Sequence, residues 1–225
     1  QILPSRKEKL LFDTLFLVGD QIGQNTVILK LDTSGNILTS QNLINGTIAD
    51  IQRGISGNLY LTGTSYIDMY LDSIQLPFQG PGWSNIYLMK LDSNLNFLNH
   101  RIASYPLVQY YWNSQPRFVL TLDERIYLGG YFDSLSVVGD SVLNTASNLG
   151  DVFLASFDSS FNSLWSRKFG DVEQDLLYNL ELTQSGNLIM CTGFNNSTVF
   201  DGFSLSSLHG LTMLLSSLDS TGNVL

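Results

Sequence analysis

Short apolar runs alternate with clusters of turn-forming residues along the whole chain. In four places such a run ends at the pattern Asp-x-x-x-Asn, and further apolar residues follow. An aspartate side chain accepts hydrogen bonds from N–H groups two residues on, and Gly or Asn tolerates positive φ, so each pattern predicts the tip of a β-hairpin. The residues of these four predicted turns are Asp32, Asn36, Asp92, Asn96, Asp158, Asn162, Asp219 and Asn223. Because Leu95 and Phe161 stand where the other two copies have Gly, we expect those two turns to differ in detail.

Two further landmarks recur in order between these hairpins. Strand-like runs that end in Gly, such as 59–63 and 126–130, predict a second hairpin in each copy. A short alternating segment follows in three copies and places Asp72, Asp133 and Asp201 at equivalent positions. Each copy therefore predicts four antiparallel strands, with no helical pattern between the copies.

The period of this pattern, 60–66 residues, decides the predicted architecture. Four-stranded units repeated around an axis form a β-propeller. We predict an all-β fold that is a β-propeller, or an arc of one, built from about four four-stranded antiparallel repeats. A stacked β-solenoid is the alternative, although solenoid coils are usually shorter. We treat 1–225 as a single repeat domain with approximate units at 10–38 (partial), 39–98, 99–164 and 165–225.

The charge and the absence of long apolar runs exclude two classes of partner. With a net charge of −9, the chain has no basic patch that could neutralise phosphates, so we expect no nucleic-acid partner. No apolar run reaches the ~20 residues that span a bilayer, so no membrane span is predicted. The single Cys191 cannot form a disulfide within the chain. Because the chain starts at Gln1 and stops just after the fourth predicted turn, we expect a processed mature protein or a fragment of a larger secreted protein.

The sequence offers few groups for catalysis or metal binding. His100 and His209 lie in non-equivalent parts of their repeats, near no nucleophile or paired-carboxylate motif. A calcium loop brings several carboxylates together, whereas each turn aspartate stands alone, so we expect no catalytic residue, no metal and no cofactor. For Asp72, Asp133 and Asp201 two interpretations stay open, a ring of ligands or loop caps, and the second is favoured.

Aromatic residues are the candidates for binding. Tyr105, Tyr110, Tyr111 and Trp112 lie in an unusually aromatic stretch, and Trp83 lies in a loop rich in Gly and Pro. Exposed Tyr and Trp rings stack on sugars or anchor protein interfaces, because they bring a large apolar area at low entropic cost. The alternative is that the rings of the stretch pack between repeats.

The order of these motifs resembles the SBBP-type β-propeller repeats of secreted and surface proteins of Bacteroidota and related bacteria. The match covers about 12–225 and is clearest at 56–63, 90–92 and 150–154, while the Trp of the family pattern occurs in only one copy, at 165–170. The resemblance implies a β-propeller fold and a location outside the bacterial cell or on its outer surface. It also implies that 165–170 is the strand that opens the next blade.

The sequence and this resemblance together favour a non-enzymatic, exported β-propeller that serves as an interaction or display module. Its expected partner is a protein or a glycan at the cell surface. Incorporation of the chain into a larger complex is a further expectation. One alternative is a glycan-active enzyme, a lyase or hydrolase, with a site at the centre of the propeller. Another is a structural spacer, or a cargo of the type IX secretion system that the resemblance implies.

Overall fold

The structure is a computed structural model. It describes residues 25–79, 84–107, 115–132, 135–145, 149–208 and 210–225, together with the backbone of 15–20; of 106–107 it likewise describes only the backbone. All regular elements within these residues are strands, every strand pairing is antiparallel, and no helix occurs among them. The prediction of an all-β antiparallel fold is confirmed.

The described strands are nineteen in number and mostly short. In chain order they are β1 (Leu15–Asp20), β2 (Asn25–Leu31), β3 (Ile37–Gly46), β4 (Asp50–Arg53), β5 (Leu59–Leu71), β6 (Ile74–Leu76), β7 (Ser84–Leu91), β8 (Phe97–Leu107), β9 (Arg117–Leu120), β10 (Ile126–Phe132), β11 (Ser136–Val138), β12 (Ser141–Leu143), β13 (Asp151–Phe157), β14 (Ser163–Phe169), β15 (Asp175–Leu182), β16 (Leu188–Phe194), β17 (Ser197–Phe200), β18 (Phe203–Ser206) and β19 (Thr212–Leu218). For description we call β1–β3 the first segment, β4–β8 the second, β9–β14 the third and β15 to Leu225 the fourth.

The same order of pairing recurs along the chain. In the third segment the order is β9–β10–β13–β14. In the second segment β4, β5, β7 and β8 pair in the corresponding order, and in the fourth the order is β15–β16–β19. The sequence-based unit boundaries at 38/39, 98/99 and 164/165 fall inside β3, β8 and β14, each of which pairs with the strand before it. The stretch 165–170, expected to open the next blade, instead lies largely in β14 and closes the third segment against β13.

The first two segments share one ten-stranded sheet rather than two separate ones. The cause is β5, which is 13 residues long. Its first half pairs with β4 and β7, and its second half pairs with β6 and with the end of β3. A small hairpin of the third segment, β11–β12, also joins this sheet through β8. The described strands form no closed barrel and no closed propeller.

The core consists of three apolar clusters, and each one is built from two consecutive segments. The first cluster joins Ile28 and Leu43 to residues of the second segment, the second joins the second to the third, and the third joins the third to the fourth. Middle strands contribute to two clusters at once, because successive side chains of a strand point to opposite faces. In β7, for example, Met89 lies in the first cluster and Leu88 in the second. This is why β7 and β13 read as continuous apolar runs.

Candidate functional site

The four Asp-x-x-x-Asn turns have the same hydrogen bonds. In the first turn the Asp32 N–H donates to the Asn36 carbonyl O at 2.9 Å, and Asp32 Oδ1 accepts the N–H groups of Ser34 and Asn36 at 2.8 and 2.9 Å. Asn36 Nδ2 donates to Asp32 Oδ2 at 2.8 Å. The corresponding bonds occur at Asp92–Asn96, Asp158–Asn162 and Asp219–Asn223. The Asn side chain and the backbone N–H groups lower the pKa of the Asp32 carboxyl, which is thus engaged within its own turn.

Two of these turns place a large apolar residue where the others have Gly, yet the backbone is the same. The N–H of Leu95 and that of Phe161 donate to the first residue of the turn at 3.0 and 2.9 Å, as Gly35 does at 3.0 Å. Both residues have φ of 68°. A left-handed backbone costs a non-glycine residue about 1–2 kcal/mol. Both side chains are buried, Leu95 in the first cluster and Phe161 in the second, and this burial offsets the cost. The expectation that these turns differ in detail is therefore wrong.

Three more turns have this backbone, although their sequences lack the motif. They span 54–58, 121–125 and 183–187, and in each the first N–H donates to the fifth carbonyl O. Thr121 and Thr183 replace the aspartate, and their Oγ1 atoms accept the fifth N–H at 2.9 and 3.0 Å. Gly54 has no side chain that could do so, so its turn requires an acceptor from elsewhere.

Glu124, in the third segment, supplies that acceptor to the second. Its Oε1 accepts the N–H of Ser56 at 2.8 Å and the Ser56 hydroxyl at 2.5 Å, and its Oε2 accepts the Tyr60 hydroxyl at 2.8 Å. A Cβ atom on Gly54 would collide with Glu124 Oε1. The glycine thus leaves the space that the carboxylate occupies. Glu124 itself is the fourth residue of turn 121–125, with φ of 58°, the position that Leu95 and Phe161 hold in theirs.

The electrostatics of this junction keep Glu124 ionised. Burial raises the pKa of the Glu124 carboxyl, but the hydrogen bonds from Ser56 and Tyr60 and the charge of Lys90 outweigh it, so the pKa lies below its usual value. Lys90 Nζ lies 3.9 Å from Glu124 Oε2 and 4.8 Å from the centroid of the Tyr60 ring. Burial and the adjacent carboxylate raise the pKa of Tyr60. Because both carboxylate oxygens already accept protein donors, the group fits a structural junction better than a general base.

A second ionisable cluster lies at the junction of the third and fourth segments. Asp151 begins β13, Asp175 begins β15, and both are buried. A Cβ on Gly170 would collide with Asp151 Oδ1 and would lie 2.7 Å from Asp175 Oδ2, so the two carboxylates face each other across this glycine. Lys168 Nζ lies 3.1 Å from Asp151 Oδ2.

Burial dominates the protonation of this pair. It raises the pKa of Asp175 to about 7, and the charges of Asp151 and Asp171 act in the same direction. Burial also raises the pKa of Asp151 to about 6 against the opposing effect of Lys168. Two carboxylates this close titrate as a coupled pair, and the pair keeps one shared proton up to about neutral pH. Sequence reasoning missed the pair, because Asp151 and Asp175 belong to different segments and the residue equivalent to Asp151 in β7 is Asn85.

Most of the predicted binding aromatics lie outside the described residues. This holds for Trp83, Tyr110, Tyr111 and Trp112. Tyr105 is described, and it is half-buried with its ring packed against the first apolar cluster. That placement agrees with the packing alternative for this residue.

The other singled-out polar residues have local roles where they are described. Asp72 Oδ1 accepts the N–H of Asn42 in β3 at 3.0 Å, and Asp201 Oδ2 accepts the N–H of Val224, which follows the fourth turn, at 2.9 Å, so both accept a backbone N–H from another part of the chain. Asp133 and His209 lie outside the described residues. Burial lowers the pKa of His100. No group of three or more potential ligand side chains that could hold a metal occurs in the described part of the chain.

The fourth segment carries a cluster of exposed apolar side chains on one sheet face, in the adjoining loop and on β18. On β19, Met213 is 56% exposed and Leu215 is 71% exposed. Cys191 lies directly opposite Leu215 on β16 and is half-buried, as is Ile189. We call Ile189, Cys191, Met213 and Leu215 the fourth-segment face. Phe203, at the start of β18, and Leu208 and Leu211, in the loop that leads into β19, are exposed as well.

Comparison with known proteins adds no family to this picture. No model of a protein family matches the chain, and no curated protein sequence matches it either. The stretches of chain described above contain no helix long and apolar enough to span a membrane.

Proposed function

We propose that this chain is a non-enzymatic, exported β-propeller module, an arc of four four-stranded units, that binds a protein partner through an exposed apolar sheet face. The location, secreted or on the outer surface of a bacterial cell, rests on the sequence resemblance. The binding role rests on the fourth-segment face.

Contacts between neighbouring segments support the propeller architecture. Lys30 Nζ donates to the carbonyl O of Ser93 at 2.8 Å, and the equivalent Lys90 Nζ donates to that of Ser159 at 3.2 Å. Each bond connects one segment to the same turn position in the next. Together with the recurring strand order and the three clusters between segments, such bonds are what radially repeated blades require.

The observation that carries the binding role is the exposure of Leu215. The residues at the same distance before the turn aspartate in the earlier segments, Ile28, Leu88 and Leu154, are fully buried. Contiguous exposed apolar side chains on a folded protein mark an interaction surface. The four side chains of this face are apolar and non-aromatic, and the nearby Tyr178 ring is half-buried over Gly193, so the chemistry of the face favours a protein over a glycan.

A photo-cross-linking amino acid placed at residue 215 tests this function in the cells that produce the protein. The matched control is the same replacement at Leu122, which is 84% exposed on turn 121–125. We expect a covalent adduct with a protein at residue 215 and none at residue 122. Absence of any adduct at 215 in protein that surface proteolysis shows to be outside the cell would overturn the binding role. Failure of that proteolysis to reach the protein would overturn the location.

A glycan-active enzyme is the second candidate, and the Asp151–Asp175 pair is the observation that favours it. Paired carboxylates with raised pKa values perform the acid–base steps of glycoside hydrolysis. The burial of both side chains, however, leaves a substrate no surface through which to reach them. Hydrolysis of a polysaccharide by the wild-type chain that disappears in Asp175→Asn, while folding is unchanged, would establish the enzyme in place of the binding module.

A further inference from the structure

The three internal contacts between segments define how two segments fit together. In each contact, side chains from one face of a strand pack against side chains of the equivalent strand in the next segment. The second set comes from the alternate positions of that strand, which lie on its opposite face. In the second cluster, Ile86 and Leu88 of β7 meet Phe153, Ala155 and Phe157 of β13. The first set lies six and four residues before the turn aspartate, and the second set lies five, three and one residues before it.

The fourth-segment face presents the first of these two sets without a segment on top of it. Met213 and Leu215 lie six and four residues before Asp219, so they are equivalent to Ile86 and Leu88. Ile86 and Leu88 are 2% and 0% exposed, whereas Met213 and Leu215 are 56% and 71% exposed. What covers the face in the earlier segments is therefore an antiparallel β-sheet that presents the second set.

The same molecule carries a second set at its other end that is only partly covered. Val27, Leu29 and Leu31 of β2 lie five, three and one residues before Asp32, and they are half-buried. Their equivalents in β7, namely Tyr87, Met89 and Leu91, are fully buried against the first segment. We call Val27, Leu29 and Leu31 the first-segment face.

We propose that the fourth-segment face docks on the first-segment face of a second copy of this chain, in a head-to-tail association that continues the internal packing of segments. The proposal rests on the proposed function and names the partner of its binding face. An association of this type uses two different surfaces, so it either closes into a ring or extends into a chain of copies. The free energy comes from burial of the aliphatic side chains of both faces.

Measurement of the oligomeric state is the first test. Sedimentation velocity over a wide range of protein concentration should show wild-type chain converting from monomers to larger species. Leu215→Asp places a charge in the contact and should raise the dissociation constant more than about tenfold. Because Leu215 is exposed, this variant should fold normally, and far-UV circular dichroism verifies that. Leu122→Asp, the same exchange at an exposed leucine outside both faces, should associate like wild type. A wild-type chain that stays monomeric throughout overturns the proposal.

A cross-linking experiment identifies the faces in contact. Cys191 is the only cysteine and lies on the fourth-segment face, so Leu29→Cys adds a thiol to the first-segment face. A short bismaleimide should join Cys191 of one copy to residue 29 of another, and Cys191→Ser should abolish this product. A dominant Cys191–Cys191 product would mean that two fourth-segment faces meet, and a link within one chain would mean that the molecule closes on itself. Either result overturns the proposal.

The two proposals can fail separately. If the chain is monomeric but residue 215 still cross-links to another protein in the producing cells, the binding function stands and the second copy is the wrong partner. If neither association nor any adduct occurs, both proposals are refuted.

Discussion

Glu124 supplies a hydrogen-bond acceptor to the turn at Gly54. We therefore predict that one substitution at Gly54 destabilises the protein when Glu124 is present and stabilises it when Glu124 is removed. Glu124→Ala removes the acceptor of the fully buried Tyr60 hydroxyl and that of the Ser56 N–H. A hydrogen bond to a charged group contributes about 1.5–3 kcal/mol, and the exposed Ser56 can turn to water instead. We therefore expect Glu124→Ala to lower the free energy of unfolding by about 3 kcal/mol.

Gly54→Asp has opposite effects in the two backgrounds. In wild type the new Cβ would collide with Glu124 Oε1, and two carboxylates would compete for the same donors. We expect a loss of about 2 kcal/mol. In the Glu124→Ala background the carboxylate is gone and the new Cβ meets the edge of the Tyr60 ring, with Cε2 at 3.0 Å. Once that ring shifts slightly, an aspartate here can accept the turn N–H groups as Asp32 does. There the same substitution should stabilise the protein by about 1 kcal/mol. The backbone at Gly54 is not left-handed, so aspartate adopts it without strain.

Urea unfolding of the wild type, both single variants and the double variant measures the coupling energy directly. The expected coupling of about 3 kcal/mol is far above the 0.3–0.5 kcal/mol scatter of independent sites. Thr183→Asp provides the control, because Thr183 holds the same turn position in the fourth segment and does not contact Glu124. Its effect should be equal in both backgrounds. If Gly54→Asp is equally destabilising with and without Glu124, the proposed exchange of acceptors is wrong.

Three further predictions concern the other junctions. Asp175 and Asp151 have pKa values raised to about 7 and about 6, above the ordinary 3.8, so the folded state binds more protons than the unfolded state between these values. The contribution of this pair to stability should be fully present below about pH 4 and be lost as pH rises from there through 6–7, by up to about 1.4 kcal/mol per pH unit per proton. Asp175→Asn should flatten this slope in urea titrations at several pH values, and an unchanged slope would contradict the assignment. Phe161→Gly relieves a positive φ but empties a core position, so we expect a net loss of about 3 kcal/mol on urea unfolding, and a gain would show that backbone strain dominates. Gly63→Ala would drive its Cβ into the Thr47 carbonyl, so we expect a fall in Tm above about 10 °C, and a smaller fall would mean that this loop can shift.

The sequence predicted those parts of the fold that depend on local interactions. The Asp32 turn could be found because its donors and acceptors all lie within five consecutive residues. Continuous apolar runs in β7 and β13 likewise report burial on both faces of the strand. The turn at Gly54 could not be found in this way, because its acceptor is Glu124 in another segment.

Long-range features account for the remaining differences. The joining of the first two segments into one sheet depends on the length of β5, whose second half pairs with β3. No turn signal in the sequence marks the point at which β5 changes partners. The pairing of Asp151 with Asp175 depends in turn on how the third and fourth segments pack, which local patterns do not report.

Where a segment departs from the repeat pattern, the neighbouring segment can carry a matching change. A glycine in one segment leaves space for a large side chain of the other, and such pairs influence which surfaces can pack together. Gly54 leaves space for Glu124, and a Cβ on Gly222 would lie 2.8 Å from Trp165 Cη2, so it leaves space for that ring. Each such pair matches two particular segments to each other. The two outer faces lack these special pairs. Ile189 replaces the tyrosine found at positions 60 and 127, and a Cβ on Gly35 would have no atom within 4 Å, so at these positions neither end carries a matched pair of its own. A bulky group does lie beside the fourth-segment face, since the Tyr178 ring packs over Gly193 next to Leu211. A second copy that docks on this face must therefore leave space for that ring.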